Sequence, residues 1–487
     1  MAISDVFSIG VSALNAQRKV LEVTSENISN VNTPGYSKQT AVLEPGMANL
    51  ENRFMIGSGV QVATVQRVYD DFLQKQLVSA NSQSGNYNTQ QTSMNSVQQL
   101  FNEFSSAGLG TDITSFFNAW QDLSDNPSGQ AERQAVLAQG TTLVDDFHQM
   151  STSLNQVKND ANQTLQGLTS DINDDLNQIA SLNDQIHTIQ FQGGDANEQL
   201  DSRDQLVRDL AEKIGITCQN NADGTINVTL PQGATLVSGN QAATLSLQAN
   251  PANSGYFNVM LTSPGSSTAN DITQSLVRAD GNQGEIGATL QVRDSLVNNS
   301  LNGLDELAYN IATQVNNLHS SGYSLNGATG TDFFTAPPVP TPPATYPSGY
   351  SGTIDLNITN INDIAAATSN PTTTGGTGDN GNALSIAGLA SQLVPMSTGN
   401  MTLSGYYNSL VGNAGVAAQS AQRGATQSSA SINQLEQMRD SQSGVSLDEE
   451  LSNLITYQKS YEGAAKLITT GTDMLDTVLG LVGTSTA

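Results

Sequence analysis

Between Leu154 and Ile189 the apolar residues Leu154, Val157, Ala161, Leu165, Leu168, Ile172, Leu176, Ile179, Leu182, Ile186 and Ile189 recur without a miss. Ten steps cover 35 residues, a mean of 3.5, which is the period of a helix that keeps one seam against a neighbour. At 1.5 Å per residue this seam alone makes a rod of about 50 Å. No ordinary globular core needs an element of that length. The pattern predicts a helix over about 130–190 and an elongated molecule around it.

The two ends carry stripes of the same kind. Near the start, Phe7, Leu14, Leu21 and Ile28 repeat every seven residues, with Val6, Ala13 and Val20 beside them. This stripe stops at Asn30-Val31-Asn32-Thr33-Pro34-Gly35-Tyr36, where Pro34 disfavours helix at Thr33 and Gly35 permits a reversal. Near the end, Leu447, Leu451, Leu454, Gln458, Tyr461, Ala465, Ile468, Thr472, Leu475, Leu479 and Val482 alternate steps of four and three. Ser446 and Glu449 fit a capping box in front of them.

Further helices are predicted over about 69–104 and 196–213, from Glu285 to Leu318, near Asn382, and over 403–441. Extended chain is predicted over 37–66. Period two also governs 214–280, where Ile226, Val228 and Leu230 follow Asp223-Gly224, a hairpin signal. Residues 322–383 are rich in Pro, Gly and Thr and predict a linker, a strand at Thr353 to Ile358, and a flexible loop.

The chain therefore reads as multidomain and mainly α with β-rich insertions, threaded out and back. Residues 1–45 and 442–487 make an inner unit of terminal helices. Residues 46–213, 281–322 and 382–441 make a long-helix rod, with a β-rich domain inserted at 214–280 and a Pro/Gly-rich insertion with a small β element at 323–381. Periodicity alone leaves the terminal stripes two uses: burying each other inside one molecule, or meeting other chains.

Lys and Arg number 17 against 44 Asp and Glu, a net charge of −27. Such a chain lacks the cations to neutralise phosphates, which disfavours nucleic acid and anionic membrane surfaces as partners. No run reaches the ~20 apolar residues of a membrane span, so no membrane insertion is expected. The first ten residues lack the basic and apolar regions of a cleaved secretory signal. A single cysteine, Cys218, and three dispersed histidines, His148, His187 and His319, give no disulfide framework and no metal site. Gly376-x-Gly378-x-x-Gly381 has the spacing of a dinucleotide loop but follows no predicted strand. Asp145-Asp146 and Asp174-Asp175 diverge on a helix and read as solvated faces. No catalytic residue and no cofactor is expected, and the chain does not read as an enzyme.

The wording of the ends adds a resemblance. Ser12-Ala13-Leu14-Asn15-Ala16-Gln17 followed by Asn27-Ile28-Ser29-Asn30-Val31-Asn32-Thr33-Pro34-Gly35-Tyr36-Ser37 resembles the N-terminal signature of bacterial flagellar axial proteins, the rod, hook and hook-associated family. Ser443-Gly444-Val445-Ser446-Leu447-Asp448-Glu449-Glu450-Leu451 and Leu454-Ile455-x-Tyr457-Gln458-x-x-Tyr461-x-x-Ala464-Ala465 resemble its C-terminal signature. In the interior, Val60 to Leu73, Asp201 to Leu210, Gly284 to Asp294, Leu325-Asn326-Gly327 to Phe333-Phe334, and Gly378-Asp379-Asn380 are similar to its hook–filament junction members. Lys38 stands where the family often has Arg, a small departure.

The resemblance implies terminal helices paired as a coiled coil in the innermost domain, a rod of long helices, and β-rich insertions facing outward. It implies export through the flagellar type III apparatus to an extracellular place on the flagellum. Implied partners are further copies in a ring, the hook protein, a second hook–filament junction protein, and an export chaperone on the C-terminal helix. The subunit interface expected on this basis comprises Phe7, Leu14, Leu21, Ile28, Leu447, Leu451, Leu454, Tyr461, Ile468, Leu475, Leu479 and Val482. The turn motif is Asn30, Asn32, Thr33, Pro34, Gly35 and Tyr36. Another axial role (hook protein or second junction protein) and a flagellum-displayed adhesin or enzyme are the alternatives.

Overall fold

The computed structural model describes residues 3–47, 49–51, 54–101, 108–340, 344–373 and 376–483, with side chains from Asp5 to Gly480 apart from 48–56. Helix α1 (Ile3–Ser29) leads into an antiparallel ribbon of Gln39–Pro45 and Val60–Arg67. Next come α2 (Asp71–Leu100), α3 (Leu109–Asp125), the 62-residue α4 (Gln130–Phe191) and α5 (Asn197–Lys213). Two antiparallel meanders fill 217–242 and 244–271, with four and three strands. After the single turn α6 (Thr273–Leu276), α7 (Gly284–Gln291) passes through a π turn, Val292–Leu296, into α8 (Val297–Ser321). Helices α9 (Gly381–Gly388), α10 (Leu403–Ser443) and α11 (Leu447–Gly483) follow.

The long helix is the spine of two hydrophobic cores. Its first half, Val136 to Leu154, packs with α3, α8, α9 and the start of α10. Its second half, Leu165 to Ile186, packs with α5, α7 and the strands around Val228, Leu236, Leu245 and Val259. The 3.5-residue seam is therefore kept, but no single partner helix runs along it. Several elements cover it in succession. Where the cores meet, the fully buried Arg293 in the π turn donates to Asn162 Oδ1 and Phe257 O, both at 2.8 Å, and pairs with Asp294. Lys158 Nζ reaches Asn298 Oδ1 at 2.6 Å beside it, so the seam between the cores is polar and bonded throughout these groups.

Most predicted helices form within a few residues of their expected bounds. Helix α3 has no counterpart in the sequence reading. Its Ile113, Phe116, Phe117 and Trp120 lie in the first core, on a segment too short to show a long period. The Pro/Gly-rich segment also differs from its expectation. Phe333, Phe334, Tyr350, Ile354, Ile358 and Ile364 are buried in the same core as α3 and α8, so this stretch is a packed wall of the rod and not a flexible outward loop. The strand expected at Thr353 to Ile358 is absent among the described residues. In its place stand a 3₁₀ turn, Tyr350–Gly352, and a single bridge between Phe334 and Leu356. Asp175, read as solvated, is buried and holds Lys213 Nζ at 2.7 Å.

His319 pins that wall. Its Nδ1 lies 2.6 Å from Thr331 O, and its Nε2 accepts from the Ala365 N–H at 3.0 Å, an arrangement that requires the neutral ring. Burial pushes its pKa down from 6.5 to about 4, against the Thr331 hydrogen bond. A lowered folded-state value means that the unfolded chain binds the extra proton first. This contribution is complete above pH 6.5 and is lost as the pH falls through 4. Thermal melts should thus show the midpoint falling over that window, and His319→Gln should flatten the fall; an unchanged slope would contradict the assignment.

Candidate functional site: an assembly interface

Among the described residues no group of three or more His, Cys, Asp or Glu is placed to hold a metal ion. Cys218 sits on the strand Thr217–Asn220, and burial pushes its thiol up to about 12, which leaves it unreactive at neutral pH. In the glycine-rich loop Asp379 is taken up by Ser369 N (2.8 Å), Ser369 Oγ (2.6 Å) and Gly381 N (3.1 Å), so the loop's anion is its own side chain. Among the described residues no helix is long and apolar enough to cross a membrane.

What stands out instead is the pair α1 and α11. A Cβ on Gly10 would meet Ile468 at 2.7 Å, and one on Gly471 would meet Phe7 at 3.3 Å, so each helix offers a glycine where the other needs room. Asn27 lies opposite Glu450. The helices are therefore antiparallel, and Val478 and Leu479 lie beyond the level of Ile3. The buried face of α1 is Ala16, Val20, Val23, Thr24 and Asn27. The predicted heptad Phe7, Leu14, Leu21 and Ile28 is half-buried at its edge. On α11, Leu454 and Ile468 are half-buried, whereas Leu447, Leu451, Tyr461, Leu475 and Leu479 are 39–59% exposed. Ile455, Met474 and Val478 extend this exposed row and were not among the predicted residues. Val482 is helical, but its side chain lies outside the described residues.

The turn motif closes a polar knuckle between this helix pair and the rod. Asn27 Oδ1 accepts from Tyr36 OH and from Gln39 N, both at 2.9 Å, while its Nδ2 donates to Gln39 O and to Glu450 Oε2. Thr33 N donates to Asn30 O and Tyr36 N to Thr33 O, and Gly35 takes φ +81° against Gln205 of α5. Asn32 and Pro34 are exposed. Ser37 gives its N–H and hydroxyl to Asp201 (2.9 and 2.8 Å), which also holds Arg67 at 2.8 Å. Arg67 reaches Asp204 at 2.6 Å and stacks on Tyr69. Burial works against this guanidinium, but Asp204 and Asp201 more than offset it. Lys38 Nζ joins Glu449 at 2.7 Å, so that carboxylate, expected in a capping box, serves the knuckle. Asn197 ties Val65 O and Gln39 Oε1 to α5. Most of these polar residues sit in the quoted motifs, yet the bonds that tie the turn to α5 and α11, from Asn27 to Glu450, Ser37 and Arg67 to Asp201, Lys38 to Glu449 and Asn197 to Val65, join residues 130 or more apart in sequence, a pairing that no local period reports.

Such an arrangement, two chain ends joined in an incompletely covered helix pair on a long rod with no catalytic cluster among the described residues, is that of a structural protein. The ends match family models described as "Flagella basal body rod protein" at 7–36 and "Flagellar basal body rod FlgEFG protein C-terminal" at 436–481, and 94–334 match the "Flagellar hook-associated protein FlgK helical domain". The chain is 30% identical to flagellar hook-associated protein 1 of Bacillus subtilis over 97% of both chains. It is 28% identical to that of Salmonella typhimurium over 98% of this chain and 100% of the relative. The solved flagellar hook junction protein FlgK of Burkholderia pseudomallei superposes with a TM-score of 0.65 at 18% identity, covering 75% of this chain and all of the other. This chain belongs to the flagellar hook-associated protein 1 family. It is a structural component of the bacterial flagellum, not an enzyme.

Proposed function

We propose that the chain is the adaptor ring between hook and filament, with 1–45 and 442–487 as its inner unit and the remainder as rod and outer wall. Phe7, Leu14, Leu21, Ile28, Leu447, Leu451, Leu454, Tyr461, Ile468, Leu475, Leu479 and Val482 form the subunit interface. Copies close a ring through them, the hook protein docks on one side and a second junction protein on the other. An export chaperone holds α11 before the chain leaves through the type III apparatus to its extracellular place.

The exposed apolar row of α11 carries this reading. A helix pair covered on one side only is marginal in water. Burying a half-exposed leucine contributes about 1 kcal/mol, so several per subunit make docking favourable against the cost of ordering. Limited proteolysis tests it. The soluble full chain should lose fragments from α11 first, and the same helix in isolated flagella should resist. Equal cleavage in the two states would overturn the proposal. A deletion strain should keep hooks and lose filaments, whereas loss of the hook itself would favour the hook-protein role.

A further inference from the structure

Only Gly444 to Ser446 separate α10 from α11. A Cβ on Gly444 would meet Asp440 O at 2.3 Å, so the chain leaves the helix at a residue that needs its missing side chain. Three non-helical residues do not by themselves fix the direction in which the next helix departs. Lys38 holds the break from outside. Its N–H donates to Ser443 O at 2.7 Å and so takes up an end carbonyl of α10. Its Nζ reaches Glu449 Oε1 at 2.7 Å and Glu450 Oε1 at 3.3 Å, in the first turn of α11. Its carbonyl accepts from Val68 N at 2.8 Å, just past the ribbon. Glu450 is buried, and its other oxygen accepts from Asn27 of α1. Among the described residues Lys38 is the only cation paired with either carboxylate, and Arg439 in the last turns of α10 is held by Asp440 instead. Burial works against the ammonium charge, and Glu449 and Glu450 more than offset it.

We infer that Lys38 is a positioning residue, which sets the angle at which α11 and its apolar row leave the rod. One residue touches the end of one helix, the start of the next and the ribbon between α1 and α2. Without its ammonium the buried Glu450 loses its charged partner, and it either takes up a proton or turns out to water. Both outcomes release the first turn of α11, and Gly444 to Ser446 then act as a free hinge. A row that points in many directions meets a neighbour correctly in only a fraction of the molecules, and its apparent affinity falls by that fraction. Arg keeps the charge and forks onto carboxylates, so it should preserve the angle. Met keeps the backbone N–H and most of the stem and loses the ammonium alone. This inference rests on the assembly reading above and adds to it the residue that directs the row.

The test uses the soluble full chain with Cys218→Ala and spin labels at two exposed positions, Gln427 in α10 and Ser452 in α11. Pulsed electron resonance should give one narrow distance with Lys38 or Lys38→Arg, and a distribution about twofold wider or more with Lys38→Met. The melting midpoint should stay in place for all three, because Lys38 lies in neither core. In flagella, Lys38→Met should be incorporated about tenfold less than the unaltered chain, and Lys38→Arg within about twofold of it. An equally narrow distance with Lys38→Met, a width that Lys38→Arg does not restore, or undiminished incorporation of Lys38→Met would each overturn the inference. An unchanged distance beside exclusion of a chain ending before Leu447 sinks the positioning role alone. A broadened distance beside incorporation of that truncated chain supports the positioning of α11 and sinks the assembly reading.

Discussion

A chain ending before Leu447 should fold, melt at nearly the temperature of the full chain, and fail to enter the flagellum. Both hydrophobic cores lie between Val78 and Ala418, so nothing in α11 contributes to either. What the deletion removes is the cover over Gly10 and Phe7, the Glu450 and Glu449 carboxylates on Asn27 and Lys38, and the exposed apolar row. Loss of the row takes away several side chains that would each contribute about 1 kcal/mol at a neighbour's surface, and a shared interface of that kind fails together. Circular dichroism melts and immunoblots of sheared flagella measure the two halves of the expectation. Incorporation of the truncated chain would refute the role given to the ends.

Asp201→Ala should uncouple the helix pair from the rod without unfolding either core. The buried carboxylate accepts from Ser37 N, Ser37 Oγ and Arg67 Nη1, and its removal leaves an N–H unpaired and Arg67 with Asp204 alone. Breaking one partner out of a buried charged set costs about 3–5 kcal/mol. That cost falls on the linkage between α1, the ribbon and α5. Hydrogen exchange should quicken over 20–45 and 60–67 and stay slow in α3 and α8. Motility should drop even where the variant is exported, because in the proposed assembly the rod and the terminal helix pair are held together through this joint. Exchange unchanged in 20–45 would show that the knuckle is not the coupling.

Much of the architecture was legible because long helices write their period locally. The seam at 154–189, the terminal stripes, the stop at Asn30 to Tyr36 and the Asp223-Gly224 hairpin each depend on residues within a few turns of one another. Helix α3 and the wall at 323–381 were not legible. Helix α3 carries a regular stripe, Leu109, Ile113, Phe116, Trp120 and Leu123, but only over about four turns, whereas the apolar residues of the wall are irregularly spaced and become core only because α4 and α8 stand behind them. Asn27, Ser37, Arg67 and Asp201 are ordinary polar residues until the fold brings them together.

The chain by itself thus determined the helical period, the order of the elements, the charge balance and the greasy edges at its ends, since each is a property of neighbours in sequence. Only the tertiary structure decided which edge faces inward and which stays open. That choice is settled by close approach, such as Gly10 on Ile468, and by hydrogen bonds between distant residues, and neither leaves a periodic trace.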